Sequence, residues 1–196
     1  MAKKKTALKK VITKPKVYQF KVSIQGTSPL VWRSFLAHEF IELNELHDLI
    51  QITMGWKNCH LYSFEINKKS YSNMDDDMGF GDKTFDAEGV LLCDILEETK
   101  VFTYIYDFGD SWIHEVEIVK ILEHDSRMIY PVCIDGDNAC PPEDCGGVGG
   151  FAELKRVLAG TKCVEQDELL DWLGGFYNPF TFDSNIINQH FLWADI

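Results

Sequence analysis

The sequence predicts an α+β fold, a single domain in which a mainly antiparallel sheet carries helices packed on it. Several segments alternate apolar and polar residues, as half-buried strands do, and others repeat apolar residues at helical spacing. The two kinds of segment are mostly segregated along the chain, which is typical of this class. The length of 196 residues, of which 45% are hydrophobic, suits one domain with a well-buried core.

The first elements are predicted between residues 17 and 67. Residues 17–25 alternate cleanly, and residues 30–37 form a second strand after a Gly-Thr-Ser-Pro turn, so the two are expected to pair as a hairpin. Residues 43–54 predict a helix, with Gly55 as the stop signal and one apolar stripe formed by Leu43, Leu46, Leu49, Ile50 and Met54. Residues 60–67 alternate again and predict a third strand.

The middle of the chain predicts a loop and a second hairpin. Residues 67–89 are polar, acidic and glycine-containing, which indicates a long surface loop, and residues 90–98 suggest a short helical turn. Residues 100–122 predict two strong strands around an Asp-Phe-Gly-Asp-Ser turn. Residues 128–134 are expected to form the last strand.

The C-terminal third predicts a constrained loop followed by helices. Residues 140–150 combine a proline pair, an acid pair and four glycines, which suits neither helix nor strand. The periodicity predicts helices over residues 150–159 and 166–173. No linker separates two cores, so residues 17–196 are expected to form one domain.

Charge is distributed unevenly along the chain. Seven lysines and no acidic residue lie within residues 1–16, which predicts a basic, disordered N-terminal arm. The remaining 12 basic and 31 acidic residues give the body a formal charge of −19. A body this acidic repels phosphate backbones, so nucleic acid is expected to bind, if at all, only through residues 1–16.

The compartment is expected to be the cytoplasm. No apolar segment of signal-peptide length follows the lysines, and no apolar run is long enough to span a membrane, which also excludes a membrane partner. The six cysteines are then expected to be thiols or metal ligands rather than disulfides.

Four motifs in order carry a resemblance to a known family. They are FKVSIQGTSPLVWR, LHDLIQITMGWKNCHLYSFEI, YIYDFGDSWIHEVEI and CPPEDCGGVGGFAELKRVL. In this order, over about residues 17–190, the chain resembles the plasmid pRiA4b Orf-3-like family. The resemblance implies a single-domain, cytoplasmic α+β protein. Members have been labelled resolvases or repressors, and the family offers no catalytic residue set to carry over.

Asp107, Asp110 and His114 form the first candidate site, because two carboxylates and an imidazole in one hairpin could hold a divalent ion or act as acid and base. Turn geometry alone also explains both aspartates.

Glu143 and Asp144 are the second candidate, since they could bind a cation or cap the helix that follows. We expect the YDFGDSW turn and the PPEDCGG segment to lie together around a shared concavity.

Cys133, Cys140 and Cys145, with His114 as a fourth ligand, are candidate zinc ligands. Their C-x6-C-x4-C spacing differs from a zinc knuckle, and packing as small hydrophobic side chains is the alternative. His47 and His60 are two further histidines that, with two tryptophans at positions 56 and 112, could line a pocket.

Three function classes follow. The favoured one is a soluble cytoplasmic binding or interaction domain without catalysis of its own, because no G-x-S-x-G, H-E-x-x-H or Walker A pattern occurs. The first alternative is a hydrolase dependent on zinc or another divalent metal, using Asp107, Asp110, His114, Glu143 and Asp144. The second is a DNA-associated regulator that uses the lysine-rich arm. The oligomeric state stays open.

Overall fold

One eight-stranded sheet organises the residues that the computed structural model describes, which are 14–73, 84–96 and 98–194. In chain order the elements are β1 (Lys16–Ile24), β2 (Trp32–His38), α1 (Leu43–Met54), β3 (Tyr62–Ile66), β4 (Lys69–Ser72), β5 (Thr84–Asp86), α2 (Leu92–Ile95), β6 (Val101–Tyr106), β7 (Trp112–Glu123), β8 (Val132–Asp137), α3 (Gly147–Ala159), α4 (Val164–Trp172) and α5 (Ser184–Trp193). The strand order is β5-β4-β3-β6-β7-β1-β2-β8. Every neighbouring pair is antiparallel except β4 and β5, so the predicted α+β class is confirmed.

The predicted N-terminal hairpin and first helix are confirmed. β1 buries the four residues on its alternating apolar face, and β2 pairs with it along its whole length. Phe20 of β1 stacks on Phe35 of β2 with ring centroids 5.1 Å apart. α1 buries its apolar stripe and ends at Gly55, whose φ of 83° is the left-handed conformation expected of a helix stop. Burying each large apolar side chain stabilises the fold by about 1.5–3 kcal/mol.

The central hairpin of β6 and β7 is also confirmed. Tyr104 lies opposite His114, and Tyr106 lies opposite Trp112. All four of these side chains are buried, as the alternation predicts. The turn between the strands starts at Asp107, whose positive φ of 53° suits aspartate better than most residues.

The register of these strands brings two connections to one end of the sheet. β3 begins at Tyr62, which pairs with Tyr106, the last residue of β6. The α1–β3 connection (residues 55–61) therefore lies beside the β6–β7 turn (residues 107–111). This arrangement follows from pairing across the sheet, not from closeness in sequence.

Several elements differ from the prediction, in their bounds or in being unpredicted. The predicted loop at 67–89 contains β4 and β5, because Tyr71 and Phe85 pack on each other with centroids 5.6 Å apart, and residues 74–83 lie outside the described residues. The predicted strand at 128–134 begins only at Val132 and runs on to Asp137. α3 starts at Gly147, three residues early, and the tail contains α5, which begins where Asp183 caps it by accepting from the Asn185 N–H at 2.8 Å.

The predicted basic arm falls mostly on residues 1–13, which lie outside the described residues. Lys16, the last residue assigned to the arm, is the first residue of β1 and lies opposite Glu123 of β7. The division into an arm and a domain over residues 17–196 stays a prediction. Among the helices of the described residues, none combines the length and the apolar character needed to cross a lipid bilayer.

Candidate functional site

The YDFGDSW turn and the PPEDCGG segment (residues 141–147) lie together, as the sequence predicts. The Gly146 N–H donates to Asp110 Oδ2 at 3.0 Å, and the Tyr106 hydroxyl donates to Glu143 Oε1 at 3.0 Å. Gly147, with a φ of 64°, approaches the Asp110 carbonyl so closely that a Cβ there would lie 2.5 Å from its oxygen. Only glycine permits this approach without strain.

The α1–β3 connection joins the same region. The Trp56 indole N–H donates to the Pro141 carbonyl at 2.9 Å, and the Lys57 backbone N–H donates to Glu143 Oε1 at 2.8 Å. Three separate parts of the chain therefore meet at this end of the sheet.

Neither Glu143 nor Asp144 is the N-cap residue of α3. The N-cap is Gly146, which has no side chain to accept a hydrogen bond from the first turn. The Gly146 N–H is instead bound by Asp110, which reaches across from the β6–β7 turn. The two acidic side chains of the PPEDCGG segment are thus left to face the α1–β3 connection.

His60 lies at the centre of these acidic groups. Its Nε2 atom is 3.3 Å from Asp144 Oδ1, 3.8 Å from Asp107 Oδ2 and 3.9 Å from Glu143 Oε2. In a tetrahedral site with metal–ligand bonds of about 2.0–2.2 Å, neighbouring ligand atoms are about 3.3–3.6 Å apart. The three distances from His60 Nε2 come close to that spacing, and the four side chains are called the His60 centre below.

Two atoms of the His60 centre are buried without a hydrogen-bond partner among the described residues, His60 Nε2 and Glu143 Oε2. Leaving a polar group in this state costs about 1–3 kcal/mol, and more for a charged one. The Asp107 side chain is only 10% exposed, whereas that of Asp144 is 70% exposed. The centre is therefore closed on the protein side and open to solvent through Asp144.

Two overlapping groups of three ligand atoms lie within 4.8 Å of one another among residues 14–73, 84–96 and 98–194. The oxygen set consists of His60, Asp107 and Asp144. The thiol set consists of Cys59, His60 and Glu143. Both sets contain His60, so one ion at the centre would use this histidine in either case.

Tyr106 holds parts of the centre in place from the sheet. Its hydroxyl accepts from the Cys59 backbone N–H at 3.2 Å while it donates to Glu143. Burial and the charge of Glu143 raise the pKa of Tyr106 above its ordinary value, so the hydroxyl stays a donor at neutral pH. Glu143 is thereby oriented through Oε1, which leaves Oε2 facing His60.

A cleft of about 510 Å³ opens beside the centre. It is lined by residues of the α1–β3 connection, the start of β3, the β6–β7 turn and one position after β4, namely Asn58, Cys59, His60, Leu61, Tyr62, Asp107, Phe108, Gly109 and Asn73. The cleft thus has His60 and Asp107 in its wall, and it involves the YDFGDSW turn but none of residues 141–147, so the predicted concavity is shared with the α1–β3 connection rather than with the PPEDCGG segment.

The structure separates the remaining predicted site residues from the centre. His114 is fully buried in the sheet, with Nδ1 3.3 Å from the Tyr104 carbonyl and its ring edge-on to Trp56. Burial lowers the pKa of His114 to about 4, so it is a neutral core residue at physiological pH. The Asp110 carboxylate instead accepts the hydrogen bond from the Gly146 N–H that joins the two segments. Of the five predicted catalytic residues, Asp107, Glu143 and Asp144 come together.

The three predicted zinc cysteines belong to neither ligand set. Burial raises the pKa of Cys133 to about 11, that of Cys145 to about 12, and that of Cys140 well above its ordinary value. Since a metal binds the thiolate, these surroundings favour the packing alternative.

His60 is the residue to which sequence reasoning gave too little weight. The other candidate histidine, His47, is buried, with Nδ1 2.7 Å from the Tyr104 hydroxyl oxygen. The available signal is position: His60 lies between the helix stop Gly55 and the strand β3, in a connection whose side chains can face the end of the sheet. The residues next to His60 in the sequence do not identify the three acidic residues that lie near it in the fold.

Fold and site together define an α+β protein with one mixed sheet and a histidine–carboxylate cleft at the sheet's end. Residues 16–186 match the family model described as plasmid pRiA4b ORF-3-like protein. The chain belongs to this family, which confirms the resemblance seen in its motifs.

Two relatives illustrate the family. The chain is 34% identical over 160 residues to "Uncharacterized protein y4hQ" of Sinorhizobium fredii (strain NBRC 101917 / NGR234), covering 81% of each chain. It also resembles the crystal structure of "Protein of Unknown Function MM3350" from Methanosarcina mazei Go1, with a TM-score of 0.78 and 34% identity over 88% of this chain and 98% of that one. Neither name assigns a catalytic activity.

Proposed function

We propose that this protein is a divalent-cation-binding protein whose ion sits at the His60 centre. One observation carries the proposal: a buried imidazole nitrogen without a hydrogen-bond partner among the described residues lies 3.3–3.9 Å from oxygens of three carboxylates. Imidazole nitrogen and carboxylate oxygen together suit zinc and similar divalent ions. The proposal falls within the binding class that the sequence favours, and it assigns no reaction.

An ion pair of protonated His60 with the acids is the competing explanation. A protonated ring would donate to a carboxylate at about 2.7–2.9 Å with good alignment. The observed distances are longer, from 3.3 to 3.9 Å. A cation bound by His60 and Glu143 would satisfy both His60 Nε2 and Glu143 Oε2, which have no hydrogen-bond partner among the described residues.

The net charge of the whole chain supports a cationic ligand. The formal charge is −12, and it is −19 for the body without its first sixteen residues. Such a surface raises the local concentration of cations and lowers that of phosphate-bearing molecules. The same charge balance argues against a resolvase function in this body.

Replacing His60 is expected to abolish high-affinity binding of the cation. In titration calorimetry with Zn²⁺, we expect one site in the wild type and at least about 100-fold weaker binding in His60→Ala, since a ligand shared by both sets is lost. His190→Ala, an exposed histidine at the end of α5, is the matched control and should bind as the wild type does. Equal affinities for His60→Ala and the wild type would show that the ion does not bind at the His60 centre. The ion pair of His60 with the acidic groups would then be the correct interpretation.

Tyr106→Phe is expected to weaken Zn²⁺ binding by about 10-fold, because outer-shell partners of ligands contribute about 10–100-fold to affinity. The substitution removes the hydroxyl that orients Glu143 but leaves the Lys57 N–H contact to the same oxygen. Titration calorimetry at pH 7 measures the change. Tyr71→Phe, in β4 and outside the cleft lining, controls for loss of a tyrosine hydroxyl elsewhere in the sheet. A Tyr106→Phe protein with wild-type affinity would contradict the supporting role.

We also propose that the protein works in the cytoplasm. All six cysteines, including exposed Cys59 and Cys163, are free thiols. Free thiols of this number suit a reducing compartment.

A further inference from the structure

We infer that Cys59 is a ligand of the cation and makes the His60 centre selective for a thiophilic divalent ion, of which Zn²⁺ is the commonest example. The inference rests on the proposed function, because it concerns the same ion. It goes further in naming the class of metal and the residue that selects it. The oxygen set alone, with one imidazole and two carboxylates, would discriminate less strongly against Mn²⁺.

Geometry is the first support. The ligand atoms of Cys59, His60 and Glu143 all lie within 4.8 Å of one another. Zinc bonds to sulfur at about 2.3 Å and to nitrogen or oxygen at about 2.0–2.2 Å, so atoms at this spacing need only small side-chain rotations to converge on one ion. Cys59 is exposed, and its side chain can therefore rotate without disturbing the core.

The backbone around Cys59 is held, which is the second support. The Cys59 N–H donates to the Tyr106 hydroxyl at 3.2 Å, and the same hydroxyl donates to Glu143 at 3.0 Å. Tyr106 thus fixes the thiol-bearing residue and the carboxylate of the thiol set relative to each other. Ligands held by a shared partner lose less conformational freedom on binding a metal.

The unpartnered atoms are the third support. His60 Nε2 and Glu143 Oε2 are buried without hydrogen-bond partners among the described residues, and both belong to residues of the thiol set. A lone surface cysteine has no such neighbours. Cys163, an exposed cysteine ahead of α4, belongs to neither set and does not line the cleft.

Softness of the ligand decides which ion is favoured. Thiolate sulfur binds Zn²⁺ strongly and binds Mn²⁺ and Mg²⁺ poorly, whereas carboxylates serve all three ions. With Cys59 bound, the centre discriminates against the hard ions. Without it, the remaining histidine and carboxylates keep a general affinity for divalent cations.

The test compares Cys59→Ser with Cys163→Ser in titrations with Zn²⁺ alone and Mn²⁺ alone. We expect Cys59→Ser to bind Zn²⁺ at least about 10-fold more weakly than the wild type does, and to bind Mn²⁺ with an affinity within about 2-fold of the wild-type value. Cys163→Ser is expected to match the wild type with both ions. Cobalt(II) replacing zinc should show thiolate-to-metal charge-transfer absorption in the wild type and in Cys163→Ser but not in Cys59→Ser. Saturating Zn²⁺, unlike Mn²⁺, should also slow alkylation of Cys59, read by peptide mass spectrometry.

The possible outcomes separate the two proposals. Zinc binding that depends on His60 but is unchanged in Cys59→Ser, with no charge-transfer band, would overturn the role of Cys59 and leave the oxygen set as the site. Absence of binding by Zn²⁺, Mn²⁺ and Co²⁺ to the wild type would overturn the His60 centre itself. Thermal unfolding of each variant without metal confirms that the exposed substitutions leave the fold intact.

Discussion

Gly150→Ala is expected to destabilise the protein by about 2–3 kcal/mol, in the range of an overpacked site. Gly150 lies in the first turn of α3, and a Cβ there would collide with the Cys145 carbonyl oxygen. The backbone must move to relieve this collision, because a carbonyl oxygen has no rotamer to adopt. Cys145 directly follows Glu143 and Asp144, so the movement is also expected to weaken Zn²⁺ binding at the His60 centre by about 10-fold or more.

The neighbouring glycine provides a matched control. A Cβ on Gly149 would meet no atom within 4 Å, and this residue is also in the first turn of α3. Gly149→Ala is therefore expected to be neutral or to stabilise by up to about 1 kcal/mol through helix propensity. Urea unfolding and calorimetry on both variants measure the difference. Similar unfolding midpoints for the two would show that the close approach of α3 to the PPEDCGG segment is unimportant.

Acid is expected to destabilise the protein well above the pH at which carboxylates protonate. Burial lowers the pKa of both His114 and His47 to about 4, against 6.5 in a solvated chain. Between these values the unfolded chain binds protons that the folded protein does not. The stabilisation is thus fully present above pH 6.5 and is lost as the pH falls toward 4.

The expected size follows from the pKa difference. A pH of 5 lies about 1.5 units below the pKa of a histidine in the unfolded chain. Protonation therefore stabilises the unfolded chain by about 2 kcal/mol for each of the two histidines. We therefore expect the free energy of unfolding to be about 4 kcal/mol lower at pH 5 than at pH 7.5. Urea unfolding across this range measures the slope.

Substitution of one histidine tests the assignment. In His114→Phe, about half of the pH dependence between 7.5 and 5 should vanish, whatever the absolute stability of the variant. Phenylalanine suits the site because His114 Nε2 is buried without a hydrogen-bond partner among the described residues and Trp56 and Tyr104 surround the ring. His190→Ala should keep the full slope. An unchanged slope in His114→Phe would mean that this ring is protonated in the folded state.

Local pattern was sufficient for most of the fold. The alternation in β1, the stripe of α1 and the faces of β6 and β7 are each recorded in a few consecutive residues, because burial of one face imposes a period of two or 3.6. The pattern failed where few side chains are buried, or where burial depends on contacts between segments far apart in the sequence. β5 at the edge of the sheet and its neighbour β4 are short strands with few buried residues, and their segment is polar enough to predict a loop.

The candidate site was only partly predictable, and the reason is topological. Asp107, Glu143 and Asp144 are predictable candidates because carboxylates can bind a divalent ion, and the sequence predicts that their two motifs meet. His114 was included on the same grounds, since it follows the turn closely. Its strand position points it into the core, where a charged ring is costly, so proximity in sequence was misleading.

The amino-acid order by itself determined the class of fold, the apolar faces of the principal strands and helices, and the acidic character of the body, since each depends on residues close together in the chain. Tertiary structure alone decided that His60 faces the acids of two other segments. That meeting depends on the pairing of Tyr62 with Tyr106 and on the approach of Gly147 to Asp110. Such contacts join residues from 36 to more than 80 positions apart, and no local periodicity encodes them.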